Sequence, residues 1–106
     1  MNRMDALIAK RRDARHALAR SAVSRILEDA AARGIEITLI GSLARDDFRV
    51  HSDVDLLVRG PMERGKRVIV ERLVADAMRG QDIPYDLLYE DDLTEDRVQE
   101  MLNDIL

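Results

Sequence analysis

Residues 35–58 of this 106-residue chain read IEITLIGSLARDDFRVHSDVDLLV, and this stretch decides the fold. It contains two apolar, β-branched runs, and each run predicts a buried strand. The first run ends in Gly41-Ser42, and ten residues separate Ser42 from Asp53-Val54-Asp55, which opens the second run. A Gly-Ser turn at the end of a strand offers backbone N–H groups that suit a phosphate.

Asp53 and Asp55 stand two residues apart on the second predicted strand, so their side chains point to the same face. Two carboxylates held side by side repel each other, and a cation between them relieves the repulsion. A phosphate-binding turn beside a divalent-metal site is the arrangement that phosphoryl or nucleotidyl transfer requires.

Composition limits the size and class of the protein. The chain is long enough for one core but not for a core and a separate substrate domain. It has no cysteine, which excludes disulfides, thiolate zinc sites and cysteine nucleophiles. No apolar run approaches the ~20 residues of a membrane span. A cytoplasmic protein without membrane contact is therefore expected.

The net charge of −4 conceals an uneven distribution. Residues 1–25 carry seven basic and two acidic side chains, a net +5, whereas residues 80–106 carry one basic and nine acidic side chains, a net −8. Two interpretations stay open: two solvated faces, or a docking surface for a partner of opposite charge. Nucleic-acid binding is disfavoured by the acidic total and by the presence of only two tyrosines and one phenylalanine.

The chain as a whole predicts an α/β (α+β) domain, with a small three-stranded mixed sheet covered by helices. The predicted elements are a helix over 5–33 (continuous or broken once), strands over 35–40 and 53–59, a helix over 62–79, a strand over 83–89, and a closing helix that follows residue 92. The helical link between the second and third strands allows them to pair in parallel.

Apolar spacing indicates which helix residues face the core. In the first helix it selects Leu18 and Ile26, among others, and in the second it selects Val68, Ile69 and Leu73. The closing helix is expected to bury an apolar face that extends to the last residue, Leu106.

The joint pattern of Gly41-Ser42, ten residues and Asp53-Val54-Asp55 resembles the signature of the nucleotidyltransferase superfamily that includes DNA polymerase β. The short length and the wording GSLAR…SDVDLLV resemble the minimal nucleotidyltransferases (MNT domains), which are often the antitoxin half of a toxin–antitoxin pair. The resemblance covers residues 17–106 as a domain of the nucleotidyltransferase fold. It leaves residues 1–16 as an N-terminal helical extension.

In that superfamily, two aspartates and a third carboxylate on a following strand hold two Mg²⁺ ions. The resemblance therefore implies that Asp53, Asp55 and Asp86 are the catalytic metal ligands, with Asp86 as the candidate to take the proton of the attacking hydroxyl. It also implies that Gly41-Ser42 hold the phosphates of ATP, the substrate. Arg45 is the nearest side chain that could add positive charge there, and Arg49 is a weaker candidate.

One position departs from the family pattern. The family commonly continues Ala-Arg with glycine, and here Asp46 follows Arg45. Aspartate tolerates the left-handed conformation better than most residues. The turn is therefore expected to keep its form, although a carboxylate beside the triphosphate disfavours nucleotide binding.

The resemblance implies an antitoxin of a HEPN/MNT pair, which transfers AMP from ATP to a hydroxyl, typically of a tyrosine, on its cognate HEPN-type ribonuclease toxin. A hetero-oligomer with that toxin is expected, because so short a chain has no room for a domain that binds a small acceptor. Two alternatives stay open. One is a binding module that neutralises its toxin by occlusion, and the other is the catalytic subunit of a two-chain transferase acting on a small molecule.

Overall fold

The structure is a computed structural model and describes residues 2–105. Its elements are helix α1 (Arg3–Ala32), strand β1 (Ile37–Ile40), helix α2 (Gly41–Ala44), strand β2 (Val54–Val58), helix α3 (Lys66–Met78), strand β3 (Tyr85–Tyr89) and helix α4 (Glu95–Asn103). A single 3-10 turn (Glu90–Asp92) joins β3 to α4. Leu106, which was predicted on the apolar face of the closing helix, lies outside the described residues.

The three strands form one mixed sheet in the order β1-β2-β3. Strand β2 is central, and it pairs antiparallel with β1 and parallel with β3. The parallel pair follows from the crossover through α3, since parallel neighbours need a long connection. The predicted fold class, a small three-stranded mixed sheet covered by helices, is confirmed.

Both faces of the sheet are covered, and the period-two alternation of β2 divides its side chains between them. Val54, Leu56 and Val58 pack in the main core with α1 and α3. Leu57 points the other way and packs with Ile40 and with Val98 of α4. Asp55 has the same parity as Leu57, so its carboxylate lies on the face that α4 covers.

Helix α1 is continuous, so the form without a break is the one adopted. It ends at Ala32, and two residues later Gly34 has a φ of +72° and its N–H donates to the Ala31 carbonyl at 3.0 Å. The N–H of Ile35 donates to the Ala30 carbonyl at 2.9 Å, which completes a Schellman-type cap. The predicted domain boundary, between residues 16 and 17, falls inside this helix and stays a prediction.

The predicted core faces of α1 and α3 are wrong at several positions, three of which lie close to residues of the main core. Leu18 is 51% exposed, Val68 is 59% exposed and Ile69 is 40% exposed. The residues that pack toward the sheet lie one position further along each helix, at Ala19 and Val70, which are fully buried. The small side chain of Ala19 allows α1 to lie close to its neighbours, and the longer Leu18 is turned to solvent.

This difference predicts that two truncations in α1 change the free energy of unfolding by very different amounts. Ile26→Ala is expected to lower the free energy of unfolding by about 2–5 kcal/mol, because Ile26 is fully buried and truncation leaves a cavity. Leu18→Ala is expected to change it by less than about 0.5 kcal/mol. Urea unfolding measures both. A loss at Leu18 as large as that at Ile26 would contradict the packing described here.

Candidate active site

The strand register brings the predicted site residues to one end of the sheet. Asp55 is the residue opposite Asp86 in the parallel pair and opposite Ile40 in the antiparallel pair. Gly41 follows Ile40 directly, and Asp53 lies two residues before Asp55. The turn and the three carboxylates predicted from the sequence therefore converge on the start of β2.

Asp55 is the most enclosed of the three carboxylates, since Asp53 and Asp86 are exposed and Asp55 is half-buried. Burial raises the pKa of Asp55 above its ordinary value of 3.8, and the charges of Asp86 and Asp53 raise it further. Arg45 acts in the opposite direction and lowers that pKa. The charged form of Asp55 is therefore opposed by two neighbouring carboxylates and favoured by one guanidinium.

Gly41 is required by two independent features of this turn. Its φ is +74°, which favours glycine. A Cβ at this position would also overlap Oδ2 of Asp55. The backbone of the predicted phosphate-binding turn therefore lies directly against the central carboxylate.

Arg45 is held by two carboxylates. Its Nη1 donates to Oδ2 of Asp104 at 2.6 Å, and its Nε lies 3.5 Å from Oδ2 of Asp47. Asp104 is the C-cap of α4 and Arg45 is the C-cap of α2, so this contact joins the ends of the two helices. Sequence reasoning missed Asp104, which appears in the sequence only as one of many acidic residues near the C-terminus.

Asp46 has a φ of +64°, so the residue that replaces the usual glycine does adopt the left-handed conformation. Its Oδ1 lies 3.0 Å from Nε2 of His16 and 3.9 Å from Nη2 of Arg20. The carboxylate is thus paired with cationic or hydrogen-bonding groups of α1. These contacts hold the Asp46 carboxylate on the side of α1.

The donor chemistry of the site fits Mg²⁺, which prefers carboxylate oxygens. Within residues 2–105, however, no group of three or more His, Cys, Asp or Glu side chains is arranged to hold a metal ion. Asp53 and Asp86 are close enough to Asp55 for their charges to raise its pKa. The predicted Mg²⁺ sites stay predictions.

A basic and apolar groove lies beside the loop that leads into Asp53. It has a volume of about 710 Å³, and its lining residues are Ile8, Arg12, Arg49, Val50, His51 and Ser52. A second depression of about 420 Å³ shares Arg12 and Arg49 with it. Both lie between the first half of α1 and the loop that joins α2 to β2.

Comparison with known protein families identifies the class of protein to which this sheet and site belong. The family model described as "Nucleotidyltransferase domain" matches residues 20–103. The chain therefore belongs to the nucleotidyltransferase domain family, whose general activity is nucleotidyl transfer from a nucleotide substrate, usually with Mg²⁺. Comparison with curated proteins gave no match. Within the described residues, no helix has the length and apolar character needed to cross a membrane.

The crowding of carboxylates predicts that Asp55→Asn stabilises the metal-free protein at neutral pH, because burial and two neighbouring carboxylates disfavour the charged form of Asp55. Water still reaches this side chain and screens these charges, so the gain is expected to stay below about 1 kcal/mol. The gain is expected to disappear as the pH falls through the raised pKa of Asp55, since the wild-type carboxyl then becomes neutral as well. Urea unfolding at neutral and at acidic pH measures the difference.

Glu28→Gln, an exposed position on α1, is the matched control and is expected to have little effect at either pH. Destabilisation by Asp55→Asn at neutral pH would show that the three carboxylates are not in conflict.

Proposed function

We propose that this protein transfers AMP from ATP to a hydroxyl of a partner protein, and that it acts as the antitoxin of a HEPN-type ribonuclease toxin. The observation that carries the transfer chemistry is the register of Asp55 opposite Asp86, with Asp53 alongside and the Gly41 turn in contact with Asp55. The family match supports nucleotidyl transfer. The toxin as partner rests on the resemblance to MNT domains.

Each site residue has a proposed role. Asp53, Asp55 and Asp86 would hold Mg²⁺, which supplies positive charge to the reacting phosphate and its leaving group. The backbone at Gly41-Ser42 and the guanidinium of Arg45 would hold the phosphates of ATP. Asp86 is exposed on the outer strand β3, so it is accessible to an incoming hydroxyl and is the proposed acceptor of its proton.

The groove beside Asp53 is the proposed entry for the acceptor protein. Its lining contains two arginines and no carboxylate, and its apolar lining residue Ile8 lies on α1 close in sequence to the exposed Met4 and Leu7. Such a surface is complementary to a segment that carries both acidic and apolar side chains. The acceptor hydroxyl would then be presented next to the loop that ends at Asp53.

Neutralisation by occlusion is the second candidate function. The observation that favours it is the same exposed apolar stripe, because a binding module needs such a surface and does not need the carboxylates. Under this alternative the partner binds α1 and no nucleotide is transferred.

Transfer of label from α-labelled ATP to a protein, with Mg²⁺ in a lysate that contains the partner, tests the proposal. A labelled band is expected with wild type. With Asp53→Asn/Asp55→Asn it is expected to fall at least about 100-fold, since loss even of groups that only support a metal ligand costs 10–100-fold. If the double variant neutralises the toxin as well as wild type does, the occlusion alternative is correct.

A charge reversal in the groove tests the proposed acceptor site. Arg12→Glu is expected to reduce labelling of the partner about tenfold through repulsion of acidic side chains, and to leave ATP binding unchanged. Arg11→Glu is the matched control, because Arg11 is exposed on the same helix and does not line the groove. Equal labelling by the two variants would place the acceptor elsewhere.

A further inference from the structure

Arg15 of α1 joins two loops that are distant in the sequence. Its Nη1 donates to the backbone carbonyl of Asp82 at 2.9 Å, and its Nη2 donates to the backbone carbonyl of Ser52 at 2.8 Å. A charged donor makes stronger hydrogen bonds to carbonyl oxygens than a neutral one does. One guanidinium therefore holds the α2–β2 loop and the α3–β3 loop at a fixed separation.

These two loops lead directly into the candidate metal-binding residues. Ser52 immediately precedes Asp53, and Asp82 lies four residues before Asp86. At the same edge, the N–H of Val54 donates to the carbonyl of Pro84 at 2.9 Å, which is the first contact between the two segments as the strands begin. Because each loop leads directly into its strand, the distance that Arg15 fixes between the loops also fixes the distance between the starts of β2 and β3.

The surroundings of Arg15 favour a fixed position for its guanidinium. Its Cζ lies 5.6 Å from the ring centroid of Phe48, which is 3% exposed and belongs to the same loop as Ser52. Within the described residues, its Nε is buried without a hydrogen-bond partner. Partial removal from water strengthens the two hydrogen bonds that the guanidinium does make.

Two hydrogen bonds between Arg49 and Ser52 fix the turn that carries the Ser52 carbonyl. Ser52 Oγ accepts a hydrogen bond from the N–H of Arg49 at 2.8 Å, and the N–H of Ser52 donates to the carbonyl of Arg49 at 3.1 Å. A movement of this carbonyl would therefore move the whole end of the loop, including the backbone of Asp53.

We propose that Arg15 is a positioning residue, which sets the separation of Asp53 from Asp86 and thereby the affinity of the site for Mg²⁺. This inference rests on the proposed function for the role of the metal. Arg15 lies outside residues 20–103, which match the family, and inside the predicted N-terminal extension. The first half of α1 is on this basis part of the active site. Lysine cannot replace it fully, because a single ammonium lacks the planar fork that reaches both carbonyls.

Amide hydrogen exchange of the ligand-free protein tests the link between Arg15 and the loops without relying on any activity. In Arg15→Met, the amides of residues 49–54 and 82–86 are expected to exchange at least about tenfold faster than in wild type. Arg11→Met, an exposed arginine on the same helix, is the matched control and is expected to leave these rates unchanged. Unchanged exchange in Arg15→Met overturns the proposal.

The Mg²⁺ dependence of nucleotide transfer tests the consequence for the site. The Mg²⁺ concentration for half-maximal rate is expected to rise about 10–100-fold in Arg15→Met, with Arg15→Lys between that variant and wild type. A purely structural role would lower the melting temperature and leave this concentration unchanged, and that result overturns the proposal. A wild-type protein that transfers nothing overturns the proposed function instead, and the exchange rates alone then decide the role of Arg15.

Discussion

The contact between the Gly41 turn and the Asp55 carboxylate is the constraint on which the rest of the site depends. It exists because β1 and β2 are antiparallel neighbours in a register that places Ile40 opposite Asp55. The turn must then pass over the carboxylate without a side chain, at a φ of +74°. A slip of one residue in β2 would turn Asp55 toward the core packed by α1 and α3. The register of the strands therefore also fixes the geometry of the site.

The concentration of negative charge at this end of the sheet is unfavourable for the folded protein alone. Burial and two neighbouring carboxylates oppose the charged form of Asp55, and Arg45 offsets only part of that effect. The apolar clusters on both faces of the sheet stabilise the strands that hold these groups in place.

The two halves of helix α1 make different contacts: one half packs in the core, and the other lies beside the site. Its second half packs Ala22, Ile26 and Ala30 into the main core. Its first half passes the end of the sheet, where His16 pairs with Asp46 and Arg15 bonds the two loops before β2 and β3. The same half leaves Met4, Leu7 and Ile8 exposed, and Ile8 lines the groove. The first half of α1 thus contacts the loops that precede β2 and β3 and borders the groove.

The elements of the fold could be predicted because their signals are local. Alternation of apolar residues marks the strands, and Gly34 marks the end of α1. The turn at Gly41, the spacing to Asp53-Val54-Asp55 and the carboxylate of Asp86 on the next strand were likewise visible without coordinates. Each depends on residues that are near in sequence or on the period of one element.

Only the tertiary structure decided which contacts these elements make. The pairing of Arg45 with Asp104 spans 59 residues, and the bonds from Arg15 span 37 and 67 residues to backbone carbonyls. Every residue carries a carbonyl, so such bonds leave no trace in the sequence. The choice of Ala19 over Leu18 for the core depends on the rotation of α1 against its neighbours, which is set by packing and not by periodicity. The sequence by itself determined the strands, the turn and the carboxylates, whereas the packing of α1 and α4 determined how they are held.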